Sequence, residues 1–266
     1  MLSQPVGVTL PRIYHLNMRD LKDYQEKYAS LAFEDYQVHY RKKCMKACFD
    51  QYKPRVVLEI GCGLEPIYDV LTSFDKLVIV EPAQMFVDHA LADIRKKGLE
   101  DRVDVFPLLM EDAKTKIAGY NFDMVLMSGL LNEVPDPKGM LEVVRDVVGK
   151  DTIVHVNVAN ANSFHRLLAL EMGLINSTFE KSQQQLLLQG NTVYDKHTLA
   201  KLVTDAGFDI VEAGSYFVKP FTHKQMKQLM DTGIADERML DGLYAMTKYM
   251  PDMGSEIFVN LKRNNR

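Results

Sequence analysis

Apolar residues along this chain fall into two alternating spacings from Arg55 onward. Near-continuous runs of branched apolar residues are typical of buried strands in a parallel sheet, and the segments between them have the spacing of helices. The runs predict strands near 56–60, 77–81, 103–106, 122–128, 152–158, 208–218 and 256–262, and the segments between them predict helices near 66–73, 83–97, 138–148 and 196–206. This alternation predicts an α/β fold with a mostly parallel sheet that carries helices on both faces.

Three stretches with helical spacing lie outside this alternation. Residues 21–52 combine that spacing with the aromatic residues Tyr24, Tyr28, Phe33, Tyr36, Tyr40 and Phe49, and with the basic run Arg41, Lys42 and Lys43. This stretch predicts either a helical cap over a ligand site or an amphipathic helix packed on the sheet edge. Helical spacing at 164–174 and 179–188, and again at 224–230 and 237–250, predicts two helical insertions, 163–195 and 221–250. These insertions either shape a ligand pocket or form a dimer interface. The chain is therefore divided into an N-terminal helical cap segment (1–52) and a main domain (53–266).

The first predicted strand ends in the small-residue turn Gly61-Cys62-Gly63, and the second ends in Glu81. Glycines let the backbone turn sharply and approach a ligand closely. A carboxylate at the end of the second strand, 20 positions after Gly61, can accept hydrogen bonds from both hydroxyls of a ribose. The pattern predicts an adenosine-type cofactor across the ends of the first two strands. The alternative is an ordinary strand–turn–helix with a chance glutamate.

The residues after the glycine turn narrow the choice of nucleotide. A dinucleotide site requires a third glycine, and Pro66 stands at that position. No Lys-Ser or Lys-Thr follows the turn as in a phosphate-binding loop, and Glu65 adds negative charge where a pyrophosphate would lie. These observations argue against NAD, FAD and ATP, and they favour a cofactor that has a ribose but no phosphate.

Several ordered motifs between about residues 55 and 160 resemble those of the class I S-adenosylmethionine (SAM) dependent methyltransferases. Residues 58–63 (Leu-Glu-Ile-Gly-Cys-Gly) resemble motif I, and residues 80–82 (Val-Glu-Pro) resemble the second motif. Glu111 and Asp112 resemble the acidic position that contacts adenine in this family. Residues 122–128 resemble the fourth strand of the family, and residues 131–137 resemble the segment after that strand. The resemblance implies a Rossmann-like, seven-stranded sheet closed by an antiparallel pair at 208–218 and 256–262. It also implies that the main domain is a methyltransferase domain and that residues 21–52 are a cap.

The resemblance implies the residues that bind S-adenosyl-L-methionine and its product S-adenosyl-L-homocysteine (SAH). The expected cofactor-binding residues are Gly61, Cys62, Gly63, Glu81, Pro82, Met85, Glu111, Asp112, Ser128 and Leu130, with Tyr36 and Arg41 of the cap directed to the cofactor carboxylate. Residues 160–166 and 217–220 also resemble a bacterial subgroup associated with methylation of cell-surface glycans and small molecules.

Methyl transfer to oxygen or nitrogen requires aligned reactants and a group that accepts a proton. His165 is the expected base, because histidine titrates near neutrality and this one follows the fifth strand. Glu133 is the alternative base, and Asn132 beside it is a further catalytic candidate. His197 and His223 are weaker candidates for the base, and His155 is expected in the core. The expected acceptor-binding residues are Asn160, Asn162, Arg166, Tyr194 and Lys219.

Two competing motifs are disfavoured. Methyltransferases that use a divalent metal carry Glu-x-x-Glu-His after the fourth strand, and Gly129, Asn132 and Glu133 occupy those positions here. This chain is therefore expected to hold no catalytic metal there, which also argues against a quinone acceptor. Tyr244 and Lys248 match the Tyr-x-x-x-Lys pair of short-chain dehydrogenases, but the glycine motif of that family is missing.

Composition limits the partners further. A net charge of −4 and the absence of a long basic run argue against a nucleic-acid partner. The three cysteines Cys44, Cys48 and Cys62 lack zinc-site spacing, and neither a signal peptide nor a membrane-spanning stretch is evident. We therefore expect a cytoplasmic protein with reduced thiols and no membrane partner, and a homodimer remains open.

Together these observations predict a SAM-dependent methyltransferase that methylates an oxygen of a small polar acceptor. The expected acceptor is a sugar, nucleotide-sugar or related precursor of a bacterial surface glycan. The alternative is an N- or O-methyltransferase of a small natural-product scaffold. More distant alternatives are a nicotinamide-dependent oxidoreductase and a non-catalytic SAM-binding module.

Overall fold

The computed structural model of this protein describes Asp23, Lys27 and residues 33–264, and its centre is one seven-stranded sheet. The strands are β1 (Val56–Ile60), β2 (Lys76–Val80), β3 (Val103–Phe106), β4 (Met124–Ser128), β5 (Ile153–Ala159), β6 (Phe208–Tyr216) and β7 (Glu256–Arg263). They lie in the order β3-β2-β1-β4-β5-β7-β6, and β7 runs antiparallel to both of its neighbours. The predicted α/β fold is confirmed, and each predicted strand lies within two residues of its observed bounds.

Nine α-helices surround the sheet within residues 33–264. They are α1 (Glu34–Tyr52), α2 (Gln84–Lys97), α3 (Met110–Ala113), α4 (Pro137–Val147), α5 (Phe164–Glu171), α6 (Gln183–Leu187), α7 (Lys196–Asp205), α8 (His223–Asp231) and α9 (Glu237–Ala245), with short 3₁₀ turns at Ile67–Asp69 and Met246–Lys248. Within residues 33–264, no helix is both long enough and apolar enough to cross a membrane.

Alternating residues of the strands build a hydrophobic core on each face of the sheet. In β1, Leu58 and Ile60 contribute to the core under α4 and α7, whereas Val57 points to the core under α1 and α2. This division follows from the two-residue period of a strand. On the second face, Met45 and Phe49 of α1 are buried. The C-terminal half of α1 is therefore part of the core, while its N-terminal half extends to the sheet edge where the ligand site was predicted.

The main differences from the predicted helices have local causes. The helix predicted at 66–73 is only the 3₁₀ turn Ile67–Asp69, because the chain must then return to the start of β2. There the N–H groups of Asp75 and Lys76 donate to the carbonyl of Arg55. In the first insertion, α5 ends before Gly173, which adopts φ 69° and stops the helix.

In the same insertion, α6 begins only after a capping box at Ser182, so the helix predicted at 179–188 is shorter. In the second insertion, the predicted helix 237–250 is divided into α9 and the 3₁₀ turn Met246–Lys248.

The topology gathers distant parts of the chain at one edge of the sheet. The ends of β1, β2, β4 and β5 meet there because these strands are parallel. Because β7 is antiparallel, its first residue, Glu256, lies at the same edge and pairs with Ala159 and Tyr216. A ligand at this edge would therefore contact residues from both ends of the described chain.

Candidate active site

A cavity of about 830 Å³ opens at this edge of the sheet. Its walls are formed by the N-terminal half of α1, the turns after β1, β2 and β4, the end of β5, the start of β7, and residues of both inserted regions. Glu34 and Arg41 come from α1, Gly61 and Glu81 from the first two strand ends, and His165 from the first insertion. The cavity therefore joins the predicted cofactor half to the predicted acceptor half.

The turn after β1 depends on two glycines. Gly61 and Gly63 adopt φ 77° and 56°, in the left-handed region that favours glycine. The N–H of Gly61 donates to the carbonyl of Val80 at 2.9 Å, so the turn is fixed against the end of β2. The backbone after β1 can therefore lie directly against a ligand with no side chain between them.

Glu81 lies beside this turn and is 5% exposed. One carboxylate oxygen accepts from the N–H of Ala83 at 2.8 Å, and the other accepts from the N–H of Gly63 at 3.4 Å. Burial raises the pKa of Glu81 although the backbone donors oppose that shift. Each oxygen has a second acceptor site, so the carboxylate can still accept two hydroxyl donors from the cavity.

A second glutamate, Glu59, lies beneath the glycine turn and had no predicted role. It is 6% exposed, and one carboxylate oxygen accepts from the N–H of Ile67 at 3.1 Å. Burial raises the pKa of Glu59 to about 8, despite this hydrogen bond and the charge of Lys42. Glu59 therefore fixes the segment after the turn, and it is largely protonated below pH 8.

A buried ion pair crosses the opposite part of the cavity. The guanidinium of Arg41 donates to both carboxylate oxygens of Glu256, at 3.0 and 2.6 Å. Glu256 also accepts from Gln37, Asn157 and Tyr216. Burial alone would raise the pKa of Glu256, but the Arg41 charge and these hydrogen bonds lower it overall. The pair joins α1 to β7 and is satisfied within the protein.

Lys219, His165 and His223 are three basic side chains on the cavity wall that have no carboxylate bound to them within the described residues. The ammonium of Lys219 donates only to Oε1 of Gln37, at 3.4 Å, within the described residues, and burial lowers the pKa of Lys219 to about 8. The Nδ1 atom of His165 is enclosed and has no hydrogen-bond partner there. Burial, followed by the charges of Lys219 and Arg166, lowers the pKa of His165 well below its usual value.

The third basic side chain is His223, whose Nδ1 donates to Gln184. Burial and the charge of Lys219 also lower the pKa of His223 well below its usual value. Both histidines are therefore neutral at pH 7. The ammonium group of Lys219 therefore lies near two uncharged imidazoles.

Comparison with known families identifies the chain. Residues 32–213 match a family described as the methyltransferase domain, which covers more than half of the chain. The chain belongs to this methyltransferase family. It is a SAM-dependent methyltransferase with S-adenosyl-L-methionine as its cofactor, as the motifs at 58–63 and 80–82 predicted. No curated protein sequence matches the chain.

Solved structures share the fold at low sequence identity. The plantazolicin methyltransferase BpumL in complex with SAH has a TM-score of 0.56 and 12% identity, over 92% of this chain and 94% of that one. A Thermotoga maritima SAM-dependent methyltransferase, described as a possible histamine N-methyltransferase, has a TM-score of 0.54 and 17% identity, over 91% of this chain and 99% of that one. The [4+2]-cyclase SpnF has a TM-score of 0.52 and 18% identity, over 82% and 80%. These similarities support the fold.

The cofactor half of the methyltransferase cavity fits SAM. Glu81 offers a buried acceptor on each oxygen, and the hydroxyl oxygen of Ser128, at the end of β4, is enclosed without a hydrogen-bond partner in the described chain. The expected cofactor residues that line the cavity are Gly61, Cys62, Gly63, Glu81, Pro82, Ser128, Leu130 and Arg41.

Four expected cofactor residues lie outside this lining. Glu111 and Asp112 are exposed on the short helix α3. Met85 is 38% exposed in the first turn of α2. Tyr36 packs against the ring of Phe33 at 5.0 Å and belongs to an aromatic cluster behind the cavity.

Arg41 lines the cavity, and its Nε and one terminal nitrogen donate to Glu256 and Glu34. These contacts leave its other terminal nitrogen as the donor available to the carboxylate of the cofactor.

Some of the expected acceptor residues line the cavity, and the others lie outside it. Lys219, Asn160 and Arg166 line the cavity, whereas Asn162 and Tyr194 do not. The amide nitrogen of Asn160 donates to the carbonyls of residues 252 and 254, at 2.9 Å each, so this amide holds the chain before β7. The guanidinium of Arg166 donates to the carbonyls of residues 178 and 180 in its own insertion.

Asn162 and Tyr194 have structural partners instead. Asn162 accepts from the hydroxyl of Thr178 at 3.0 Å. The Tyr194 side chain is in the core, and its hydroxyl donates to the carbonyl of Leu131 at 3.4 Å. Within this expected acceptor set, neither Lys219 nor Arg166 forms an ion pair with a carboxylate of the described residues. Arg166 is held by two carbonyls, whereas Lys219 has only the long hydrogen bond to Gln37.

The three catalytic candidates all line the cavity, but Asn132 has another task. Its amide donates to the carbonyl of Thr192 at 3.1 Å and accepts from the N–H of Ala159 at 3.3 Å. Asn132 therefore fastens the loop after β4 to β5 and to the first insertion. His165 and Glu133 remain the candidates for the base.

The other histidines and the competing motifs lie elsewhere. His155 is fully buried in β5 as expected, and His197 is exposed and outside the cavity lining. Tyr244 stacks on Tyr40 at 5.4 Å, whereas Lys248 lies over the ring of Tyr249. Within the described residues, no group of three or more His, Cys, Asp and Glu side chains forms a metal-binding cluster.

Sequence reasoning missed Gln37, Glu256 and Glu59 on the cavity wall. A signal for Glu256 existed, because the first residue of an antiparallel last strand must lie at the carboxyl edge of its parallel neighbour. Gln37 had no such signal, since its position depends on how α1 crosses the sheet.

Proposed function

We propose that this methyltransferase transfers a methyl group to an oxygen atom of a small polar acceptor, with His165 as the base. One observation carries the proposal. The Nδ1 of His165 is enclosed without a hydrogen-bond partner among the described residues, and this side chain lies on the wall of the same cavity as Gly61, Gly63 and Glu81. A cavity with a cofactor half and a neutral imidazole is suited to removing a proton from an alcohol.

The cofactor half would hold SAM through few groups. Glu81 would accept hydrogen bonds from the ribose hydroxyls, the backbone at Gly61 and Gly63 would lie against the cofactor, and the Ser128 hydroxyl offers a further polar contact. When bound, SAM supplies an activated methyl group on a positively charged sulfur. The protein then has to align the acceptor and exclude water from the cavity.

His165 would perform the proton transfer. Its low pKa keeps the imidazole neutral at pH 7, so a ring nitrogen can accept the hydroxyl proton as the acceptor oxygen bonds to the methyl group. Glu133, on the same wall after β4, is the alternative proton acceptor. The N-terminal half of α1 and the inserted regions 163–195 and 221–250 would enclose the acceptor, because all three contribute to the cavity wall.

A sugar, a nucleotide-sugar or a related precursor of a bacterial surface glycan is the acceptor class that we propose. Support comes from the polar side chains of the acceptor half, which offer hydrogen bonds to a hydroxylated molecule. These side chains are Gln37, Gln183, Gln184, His223 and Lys219.

A natural-product scaffold, methylated on oxygen or nitrogen, is the second candidate. It is favoured by an apolar strip on the same cavity, formed by Ala169, Ile175, Leu187 and Leu188. The plantazolicin methyltransferase BpumL shares the fold of this chain, which is compatible with this second candidate.

Calorimetric titration with SAH and, separately, with NADH tests the cofactor. Binding of SAH and not of NADH supports the proposal, and the reverse result contradicts it and favours an oxidoreductase. SAM with a tritiated methyl group, offered with a panel of sugars, nucleotide sugars and natural-product alcohols and amines, then tests transfer. SAH binding without transfer to any acceptor would favour a non-catalytic SAM-binding module.

The variant His165→Asn tests the base, with His197→Asn as the control on an exposed histidine outside the cavity. Loss of general base catalysis should lower kcat by about 10²- to 10⁴-fold and leave the Kd of SAH unchanged. A kcat within about threefold of the parent protein would exclude His165 as the base and direct attention to Glu133.

A further inference from the structure

We propose that the acceptor carries an anionic group, a carboxylate or a phosphate, which pairs with the ammonium of Lys219 in the cavity. This inference rests on the proposed function and specifies its substrate class. It depends on the position of Lys219, on the absence of a protein counterion in the described chain, and on the neutrality of its neighbours.

The backbone holds Lys219 rigidly at the cavity. Phe217, two residues earlier, adopts φ 59°, a left-handed conformation that is unfavourable for a residue with a side chain. This turn is stabilised because the N–H groups of Ser255 and Lys219 both donate to the Phe217 carbonyl, at 2.8 and 3.0 Å, and because its ring stacks on Tyr40. Lys219 is therefore directed into the cavity by a fixed backbone, and it is only 4% exposed.

No carboxylate of the described chain forms an ion pair with Lys219. The two nearby carboxylates are committed elsewhere. Glu256 pairs with Arg41, and Glu34 receives hydrogen bonds from Arg41 at 3.5 Å and from Gln184 at 3.3 Å. The neutral oxygen of Gln37 at 3.4 Å is a weak partner for an ammonium group.

The other basic groups leave this positive charge uncompensated. His165 and His223 are neutral, since their pKa values lie well below the usual range because of burial and the charge of Lys219. Arg166 is charged, but its hydrogen bonds go to main-chain carbonyls. On the cavity wall, Lys219 and Arg166 are thus two cationic groups whose direct partners in the described chain are uncharged.

An anionic acceptor satisfies this arrangement better than a neutral one. A buried charge without a counterion is costly, and pairing with a hydrogen-bonded anion removes most of that cost. A neutral hydroxyl would leave the ammonium group uncompensated. The alternative is that Lys219 is a neutral amine that acts as a base, and this alternative predicts no selective response to anions.

The response of Lys219 to anions can be measured directly. Calorimetry first establishes that SAH binds, and the SAH-loaded protein is then labelled with ¹³C at lysine Cε for NMR. The Lys219 signal is identified by its absence from Lys219→Arg, which keeps the positive charge. We expect inorganic phosphate or acetate to shift this signal saturably, whereas sodium chloride at equal ionic strength does not.

Thermal unfolding of variants provides the matched comparison. Phosphate, relative to chloride, should raise the Tm of the SAH-loaded parent protein, of Lys219→Arg and of the control Lys224→Gln, which removes an exposed cavity-lining charge. It should not raise the Tm of Lys219→Gln. Saturation by phosphate but not acetate would indicate a phosphate ester, and saturation by acetate a carboxylate.

If chloride, phosphate and acetate shift the Lys219 signal equally, the inference is overturned while the proposed function stands. Absence of SAH binding in the first step would instead contradict the proposed function. The two failures are therefore distinguishable.

Discussion

The ribose contact proposed for Glu81 leads to a quantitative prediction for Glu81→Gln. This substitution keeps the size of the side chain and removes its charge. A hydrogen bond to a charged acceptor contributes about 1.5–3 kcal/mol, and a neutral one about 0.5–1.5 kcal/mol. Two ribose hydroxyls would therefore lose about 2–3 kcal/mol together, which corresponds to a Kd for SAH that is about 30- to 150-fold higher.

Calorimetry with SAH at pH 8 is the appropriate assay. Burial raises the pKa of Glu81, so its carboxylate is more completely ionised at this pH than at neutrality. Glu65→Gln is the matched control. It also removes a carboxylate from the segment after β1, but the Glu65 side chain is 55% exposed and already pairs with Lys42 at 2.9 Å. This control should change the Kd by less than about threefold, because exposed ion pairs contribute little.

Stability has to be measured in parallel. Glutamine at position 81 can accept from only one of the two N–H groups, those of Gly63 and Ala83, that the glutamate satisfies. Unfolding in urea should therefore show a loss of about 1–3 kcal/mol in the free energy of unfolding. A Kd within threefold of the parent value, in a variant that is still fully folded, would refute the ribose contact.

Three further predictions concern stability in urea. Glu59 has a pKa of about 8 in the folded protein and 4.5 ordinarily, so between these pH values the folded chain keeps a proton that the unfolded chain has lost. The free energy of unfolding should therefore fall as pH rises through that range. The variant Glu59→Gln should make this pH dependence weaker. Arg41→Met should lower the free energy of unfolding by about 3–5 kcal/mol, because it leaves Glu256 unpaired. Adding Glu256→Gln to this variant should recover part of the loss. Strictly additive effects of the two substitutions would contradict the pairing. Lys53 follows α1 and adopts φ 49°, a conformation that favours glycine. Lys53→Gly should therefore raise the free energy of unfolding by about 0.5–1 kcal/mol, whereas Lys53→Ala should not raise it. Equal effects of the two substitutions would contradict backbone strain as the cause.

The parts of the fold that could be predicted are those with local signals. Apolar runs such as 56–60 and 77–81 identify buried strands by themselves, and the positive φ angles of Gly61 and Gly63 follow from a glycine turn after a strand. Glu81 could be predicted for the same reason, since its position is fixed by the end of its own strand. The start of α6 also had a local signal, because Ser182 and Gln185 form the capping box that begins this helix, but sequence reasoning missed it.

The acceptor half shows why residue type alone is a weak guide. Asn160 and Arg166 are polar residues after a strand end, which is typical of ligand binding, yet their hydrogen bonds go to backbone carbonyls of the protein. Those partners become neighbours of Asn160 only when the chain before β7 reaches the same edge. Lys219 lies on the cavity wall, but its lack of a counterion among the described residues depends on Arg41 occupying Glu256.

The buried pair of Arg41 and Glu256 has a consequence for modular engineering. It connects residues 215 positions apart, so α1 and β7 are joined although they lie near opposite ends of the described chain. A chimera that borrows the regions 163–195 and 221–250 from a relative has to retain both partners. A chimera with its crossover between α1 and β1 would place one partner in each parental half, and it would fold well only if the second parent supplied a matching charge.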